Sequence, residues 1–269
     1  MSKRNSQAAK SAARERIRAQ QEAERKREKR RRTAIVGVSI VAVLAIAGGV
    51  GYAVMQVNKP DAPSKWEKAA DAKVVAPANT SGKNGTTVTL GKSSIKNTVH
   101  LYEDPRCPGC AVMEQSIGEA VNKGMKDGDY KLSFTIGTFL DNNLGGEGSK
   151  NALSALGAAL NVSPDAFLEY KTALYSTKFH PSESTDTFAK DDELLKVADT
   201  IDALKDNKKF ESAVKKGTYD AWAMRMSDSF QSAEGVESTP TIKINDKVIE
   251  TPKTPDAWKA ALKTAGVTK

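Results

Sequence analysis

The sequence predicts an α/β domain, a sheet with helices on its faces and a helical insertion, preceded by a single transmembrane helix. Three observations predict it. An uncharged run covers residues 34–57. Short period-two segments bracket a long stretch of helical spacing. A lone Cys-x-x-Cys stands where a strand pattern gives way to a helical one.

The chain has 269 residues and a formal charge of +8. Residues 1–33 form a basic tail: its first 32 positions hold 13 Lys or Arg and 4 Glu, so the rest of the chain is close to neutral. That distribution argues against a nucleic-acid binder, because the tail has no aromatic residue for stacking. It reads as a topology signal that also touches anionic lipid headgroups. At about 1.5 Å per residue, residues 34–57 are long enough for a hydrocarbon core of roughly 30 Å. The positive-inside bias puts the tail in the cytoplasm and the C-terminal part outside, as a single-pass membrane protein. The competing reading is a cleaved signal peptide, which the length of the apolar run and of its charged leader disfavours. Both readings leave the domain in a compartment where disulfides persist. Residues 58–85, with Pro60, Pro63 and Pro77 and with Trp66 as their one aromatic, read as an extended, solvated linker outside the membrane.

From residue 86 to 269 the pattern is globular. Residues 86–90, 98–102 and 130–136 alternate as strands do, and 111–126 has helical spacing. A helical insertion follows over about 147–233. Within it Ser163-Pro164 is an N-cap followed by proline at the first helical position, opening a helix to about residue 175. Further helices are expected over 191–204, 208–216 and 219–233. Asn245-Asp246 between 241–244 and 248–249 marks a hairpin. Thr254-Pro255 opens the last helix. His100 reads as a satisfied structural histidine, and Trp222, Met224 and Met226 as packing residues.

The two cysteines, Cys107 and Cys110, are the only ones in the chain. That excludes a multi-disulfide framework, and with His100 and His180 at no ligand-like spacing it leaves no structural zinc set. No metal or other cofactor is implied. A Cys-x-x-Cys at a strand-to-helix junction suits thiol chemistry. The helix N-terminus offers free N–H groups and the positive end of the dipole, which stabilise a thiolate. Pro108 fits the first turn, where a missing N–H costs nothing. The second sulfur lies within one turn, where it can resolve a mixed disulfide. Cys107 is thus expected to be the nucleophile and Cys110 the resolving thiol, with Arg106 adding positive potential.

Residues 98–110, together with Gly235-Val236-Glu237-Ser238-Thr239-Pro240-Thr241-Ile242, resemble the DsbA-like branch of the thioredoxin superfamily, in a membrane-anchored bacterial form. The resemblance covers residues 86–269 and implies a thioredoxin fold with a helical insertion. It also implies a cis Thr239–Pro240 bond facing the redox pair, and a Thr239 backbone that pairs with an extended substrate segment. Two positions depart from the family pattern. Gly109 replaces the histidine of strongly oxidising members, which removes a donor to the thiolate. Leu101 replaces the usual buried acid, so proton exchange with Cys110 needs Glu103, Asp104 or water, and Glu103, on the same strand face as Leu101, is the candidate.

The function expected is that of an extracytoplasmic protein disulfide oxidoreductase that donates disulfides to unfolded or reduced secreted proteins. The resemblance implies re-oxidation by a membrane quinone-linked oxidase. A tethered reductase or isomerase fed by a membrane electron donor is the alternative, which Gly109 favours. A redox-inert binding or chaperone module is a third.

Overall fold

The computed structural model describes residues 64–267. The basic tail and the uncharged run at 34–57 lie outside the described residues. Among the described residues no helix is long and apolar enough to cross a membrane.

Five strands form one sheet in the order β1-β3-β2-β4-β5. They are β1 (Val88–Leu90), β2 (Thr98–Glu103), β3 (Lys131–Ile136), β4 (Thr241–Ile244) and β5 (Lys247–Ile249). β2 and β3 run parallel, with Leu101 opposite Phe134 and Glu103 opposite Ile136. The other pairings are antiparallel. A parallel pair needs a crossover, and one helical run provides it. It comprises α2 (Pro108–Met113), a π-helical turn (Glu114–Gly118) and α3 (Glu119–Asp127). Asn245 and Asp246 both take positive φ, at 49° and 67°, which is the backbone a two-residue hairpin turn requires.

Between β3 and β4 lies the helical insertion: α4 (Phe139–Leu144), α5 (Gly148–Val162), α6 (Pro164–Leu174), α7 (Asp191–Ala198), α8 (Lys208–Lys215) and α9 (Asp220–Gln231). It opens at α4, upstream of the expected 147. The helix expected over 191–204 stops at Ala198, and the chain then makes turns as far as Asp206, which has φ 55°. Ser163 caps α6 by accepting from the Ala166 N–H at 3.0 Å, and Thr254 caps α10 (Pro255–Thr264) in the same way. The buried side chains of β2, β3 and β4 form one core with those of α5, α6 and α9, including Phe134, Phe167, Tyr170, Trp222 and Met226. Met224 is half-buried on the same helix.

Residues 64–85 correct the expectation of an extended, solvated linker. Ser64 and Glu67 form a reciprocal capping box that starts α1 (Lys65–Asp71). Trp66 is 4% exposed. Lys65 pairs with Asp220 of α9 at 3.3 Å and with Asn151 of α5 at 3.1 Å. The Arg225 guanidinium donates to the Ala70 carbonyl, and Trp222 Nε1 donates to the Gly85 carbonyl at 2.8 Å. A polar, alanine- and lysine-rich composition did not keep this segment in solvent, because the Trp66 ring is buried and the backbone of Ala70, Ala78 and Gly85 found partners on α5 and α9.

Trp66→Ala should therefore cost about 3 kcal/mol of stability, the usual loss for a buried aromatic. Chemical denaturation of the full chain checks this; a change near zero would return Trp66 to a solvated linker.

Candidate redox site

Cys107 is the N-cap of α2, with φ −73° and ψ 118°, and Pro108 is its first helical residue. Asp104 builds the loop before it. Its carbonyl accepts from the Cys107 N–H at 2.9 Å and its Oδ1 from the Arg106 N–H at 3.0 Å. The same carboxylate reaches into the insertion, accepting from Ser149 Oγ at 2.6 Å and from the Leu140 N–H at 3.1 Å. Burial raises the Asp104 carboxyl to about 6, and those hydrogen bonds oppose the rise.

Both cysteines are free thiols, but their surroundings differ. Cys107 is 7% exposed and Cys110 is 0% exposed. The Cys107 sulfur lies 3.5 Å from the Thr239 carbonyl oxygen. Its pKa is pulled down to about 7, first by the hydrogen bond from the Cys110 thiol and then by Thr239 and the Cys110 backbone N–H; burial and the Asp104 charge oppose this. Thr239 Oγ1 is buried without a partner while the thiol is protonated, so it is available to the sulfur once that carries charge. Cys110 is pushed well up, first by burial, with Cys107 and the negative charge of Glu103 adding.

The Thr239–Pro240 bond is cis, and Pro240 faces the pair. A Cβ added at Gly109 would stand 3.1 Å from Pro240 Cδ, 3.6 Å from the Cys107 sulfur and 3.6 Å from the Thr239 oxygen. Glycine thus keeps the strip between sulfur and proline open. Pro108, Gly109 and Val112 are the exposed residues around it.

Glu103 is brought behind Cys110 as a wholly buried acid. Its Oε1 accepts from Lys171 Nζ at 3.0 Å, while Oε2 has no hydrogen-bond partner. Lys171, from α6 and without exposed surface, also donates to Glu114 Oε2 at 2.6 Å. Thr172 donates to Glu114 Oε1 at 2.6 Å. Burial raises the Glu103 carboxyl, and Lys171 opposes it; burial would lower Lys171, but the two carboxylates outweigh it and hold it raised. Gly118 leaves the room that Glu114 needs, since a Cβ there would meet its carboxylate at 2.6 Å.

Arg106 does a different job from the expected one. Its guanidinium donates to Asp141 at 2.9 Å and to the Gly145 carbonyl at 2.8 Å, and it pairs with Asp186 at 3.3 Å. Those carboxylates take up its charge, so it anchors the loop to the insertion and leaves the thiolate to the helix N-terminus. Among the described residues no group of three or more His, Cys, Asp or Glu is arranged to hold a metal ion. Reading the sequence missed Lys171, Glu114 and Tyr175, and it offered Asp104 only as an alternative to Glu103 for proton exchange. For Glu114 and Lys171 the signal was a charge set within an apolar helical stripe, Cys110-Glu114-Ile117-Val121 and Phe167-Lys171-Leu174.

The chain's residues 83–264 match the thioredoxin family model. Over 164 residues the chain is 30% identical to disulfide bond formation protein D of Bacillus subtilis, covering 60% of this chain and 68% of that one. A weaker match, 26% identical over 121 residues, is to the serine/threonine-protein kinase PknE of Mycobacterium tuberculosis, of which it spans only 21%. Among solved structures, oxidised DsbA of M. tuberculosis aligns with TM-score 0.57 at 25% identity, covering 68% of this chain and 93% of that one. Oxidised BdbD of B. subtilis aligns with TM-score 0.54 at 25% identity, covering 72% and 98%.

Two outcomes follow from the site. Lys171→Met should destabilise the protein by about 3–5 kcal/mol, because it strands two buried carboxylates; denaturant unfolding measures it. Alkylation of Cys107 should rise with a midpoint near pH 7. Because its folded pKa lies below its unfolded one, the reduced protein should gain stability from about pH 7 to 9 and lose it as pH falls back through 7. Melting of the reduced chain across that window checks the sign.

Proposed function

We propose, on the premise that the chain belongs to the thioredoxin family and is a DsbA-like protein disulfide oxidoreductase, that it donates the Cys107–Cys110 disulfide to reduced secreted proteins. The observation that carries this reading is the asymmetry of the pair: one sulfur at the edge, beside a backbone strip at Thr239-Pro240, and one sealed beneath it. The similarity to disulfide bond formation protein D supports the direction.

In this cycle a substrate thiolate attacks the Cys107 sulfur, the Cys107–Cys110 bond breaks, and Cys110 leaves as a thiolate. Its raised pKa draws a proton at once, and Glu103, with an unpartnered Oε2 and a carboxyl raised by burial, is our candidate for exchanging it. A second substrate thiolate then attacks the substrate's sulfur of the mixed disulfide and releases Cys107 as a thiolate. The substrate loses two electrons and the pair gains them. The Thr239 backbone would hold the extended substrate, with Pro108, Gly109 and Pro240 leaving the approach open. A membrane quinone-linked oxidase would take the two electrons back. Residues 34–57 would hold the domain at the outer face of the cell membrane. The support for that anchor is the length of the uncharged run and the basic flank before it.

A second reading, a tethered reductase or isomerase, is favoured by one observation. A Cys107 pKa of about 7 is nearer to that of thioredoxin than to that of strongly oxidising DsbA.

Equilibrating the full chain against glutathione separates the two. A potential of about −120 to −180 mV supports disulfide donation, and one near −270 mV supports the reductase. Cys107→Ser should reduce thiol exchange to background in the same assay.

A further inference from the structure

The redox pair does not rest on the thioredoxin core alone. The small apolar cluster that holds both sulfurs takes Ala111 from α2, Leu140 from α4 and Tyr175 from the residue after α6. Tyr175 is 2% exposed. Tyr175 is fixed on several sides. Gln115 Nε2 donates to its carbonyl at 2.6 Å, Lys171 Nζ stands 5.1 Å from the ring centroid, and His180 stacks on it at 5.8 Å with an interplanar angle of 27°. The phenol is held far above its ordinary range, first by burial and then by the charges of Glu103, Cys110, Asp104 and Cys107 around it. A phenol thus sits among both thiols and both acids of the site, yet no step of the exchange uses it.

We infer that Tyr175 is a positioning residue for the exchange: its ring is the insertion's wall against the redox pair, and it excludes water from Cys110 so that Cys107 alone meets outside partners. The inference rests on the thiol-exchange reading and adds what enforces its order. A thiol without water around it stays protonated, and only the thiolate attacks. Lys171 docks α6 against Glu103 and Glu114, and Tyr175 follows it by four residues, so the contact that docks the insertion also seals the resolving thiol.

The test uses the full chain carrying Cys107→Ser, which leaves Cys110 as the one thiol. Its alkylation by iodoacetamide is followed across pH, with thermal melts confirming that each variant is folded. Adding Tyr175→Ala should raise the rate at neutral pH about tenfold or more and move the pH midpoint down, because the thiolate becomes solvated. Tyr175→Phe should keep the rate of the Tyr175 parent. A Tyr175→Ala rate within about twofold of that parent, or a Tyr175→Phe rate as fast as the alanine variant's, overturns the inference. Should Tyr175→Ala fail to fold, Tyr175→Ser, which also removes the ring, takes its place in both comparisons. The assay needs no substrate, so its failure leaves the direction of exchange to the potential measurement.

Discussion

Lys171 is a full positive charge with no exposed surface, and two carboxylates hold it there. A lone ammonium in such a place would cost several kcal/mol and would shed its proton instead. Glu103 comes from the central strand, Glu114 from the π turn after the helix that carries the cysteines, and Lys171 from the insertion. The three are therefore viable only when sheet, helix and insertion are assembled together. Removing any one strands the others, so the cluster is a check on correct docking more than a source of net stability. Its geometry also dictates what lies nearby: the π turn begins at Glu114, and Gly118 is small because the carboxylate lies against it.

The same assembly explains why the two thiols differ. Cys107 stands at the start of a helix, where backbone donors and the Cys110 thiol favour its charged form. Cys110, three residues on, is on the inward side of that helix, where burial and Glu103 disfavour charge. Asp104 and Arg106 hold the loop between strand and helix by bonds into α4 and α5. Thus a loop that would otherwise be free is pinned by the insertion, and Cys107 is presented in one position against the Thr239-Pro240 strip. The insertion is part of the candidate redox site and more than an appendage to the fold.

Much of this was legible in the chain because it is local. The strand–Cys-Pro-Gly-Cys–helix junction, Ser163-Pro164, Asn245-Asp246 and Thr254-Pro255 each declare themselves within four residues. What was not legible is long-range. Lys171 meets Glu103 across 68 positions, and nothing in a helix bearing one lysine says which carboxylate it will meet. Arg106 looked like a charge aimed at the neighbouring sulfur, while its partner Asp141 lies 35 positions away. The linker reading of 64–85 failed differently. Composition outweighed a local signal, because Ser64-Lys65-Trp66-Glu67 is a helix-start signature that was present in the sequence.

On the proposed function, the narrow clearance at Gly109 bears on how broad the clientele would be. The space at Gly109 is bounded by the Cys107 sulfur, Pro240 Cδ and the Thr239 carbonyl oxygen, and a side chain at Gly109 would crowd it. If the strip takes substrate as proposed, a visiting polypeptide would be recognised through its backbone, which every sequence shares, and not through a pocket shaped for one residue type. On that reading the slot would make a generalist: it would discriminate between folded and extended chains, since only the latter could lay their backbone along it, and would be nearly blind to what those chains spell.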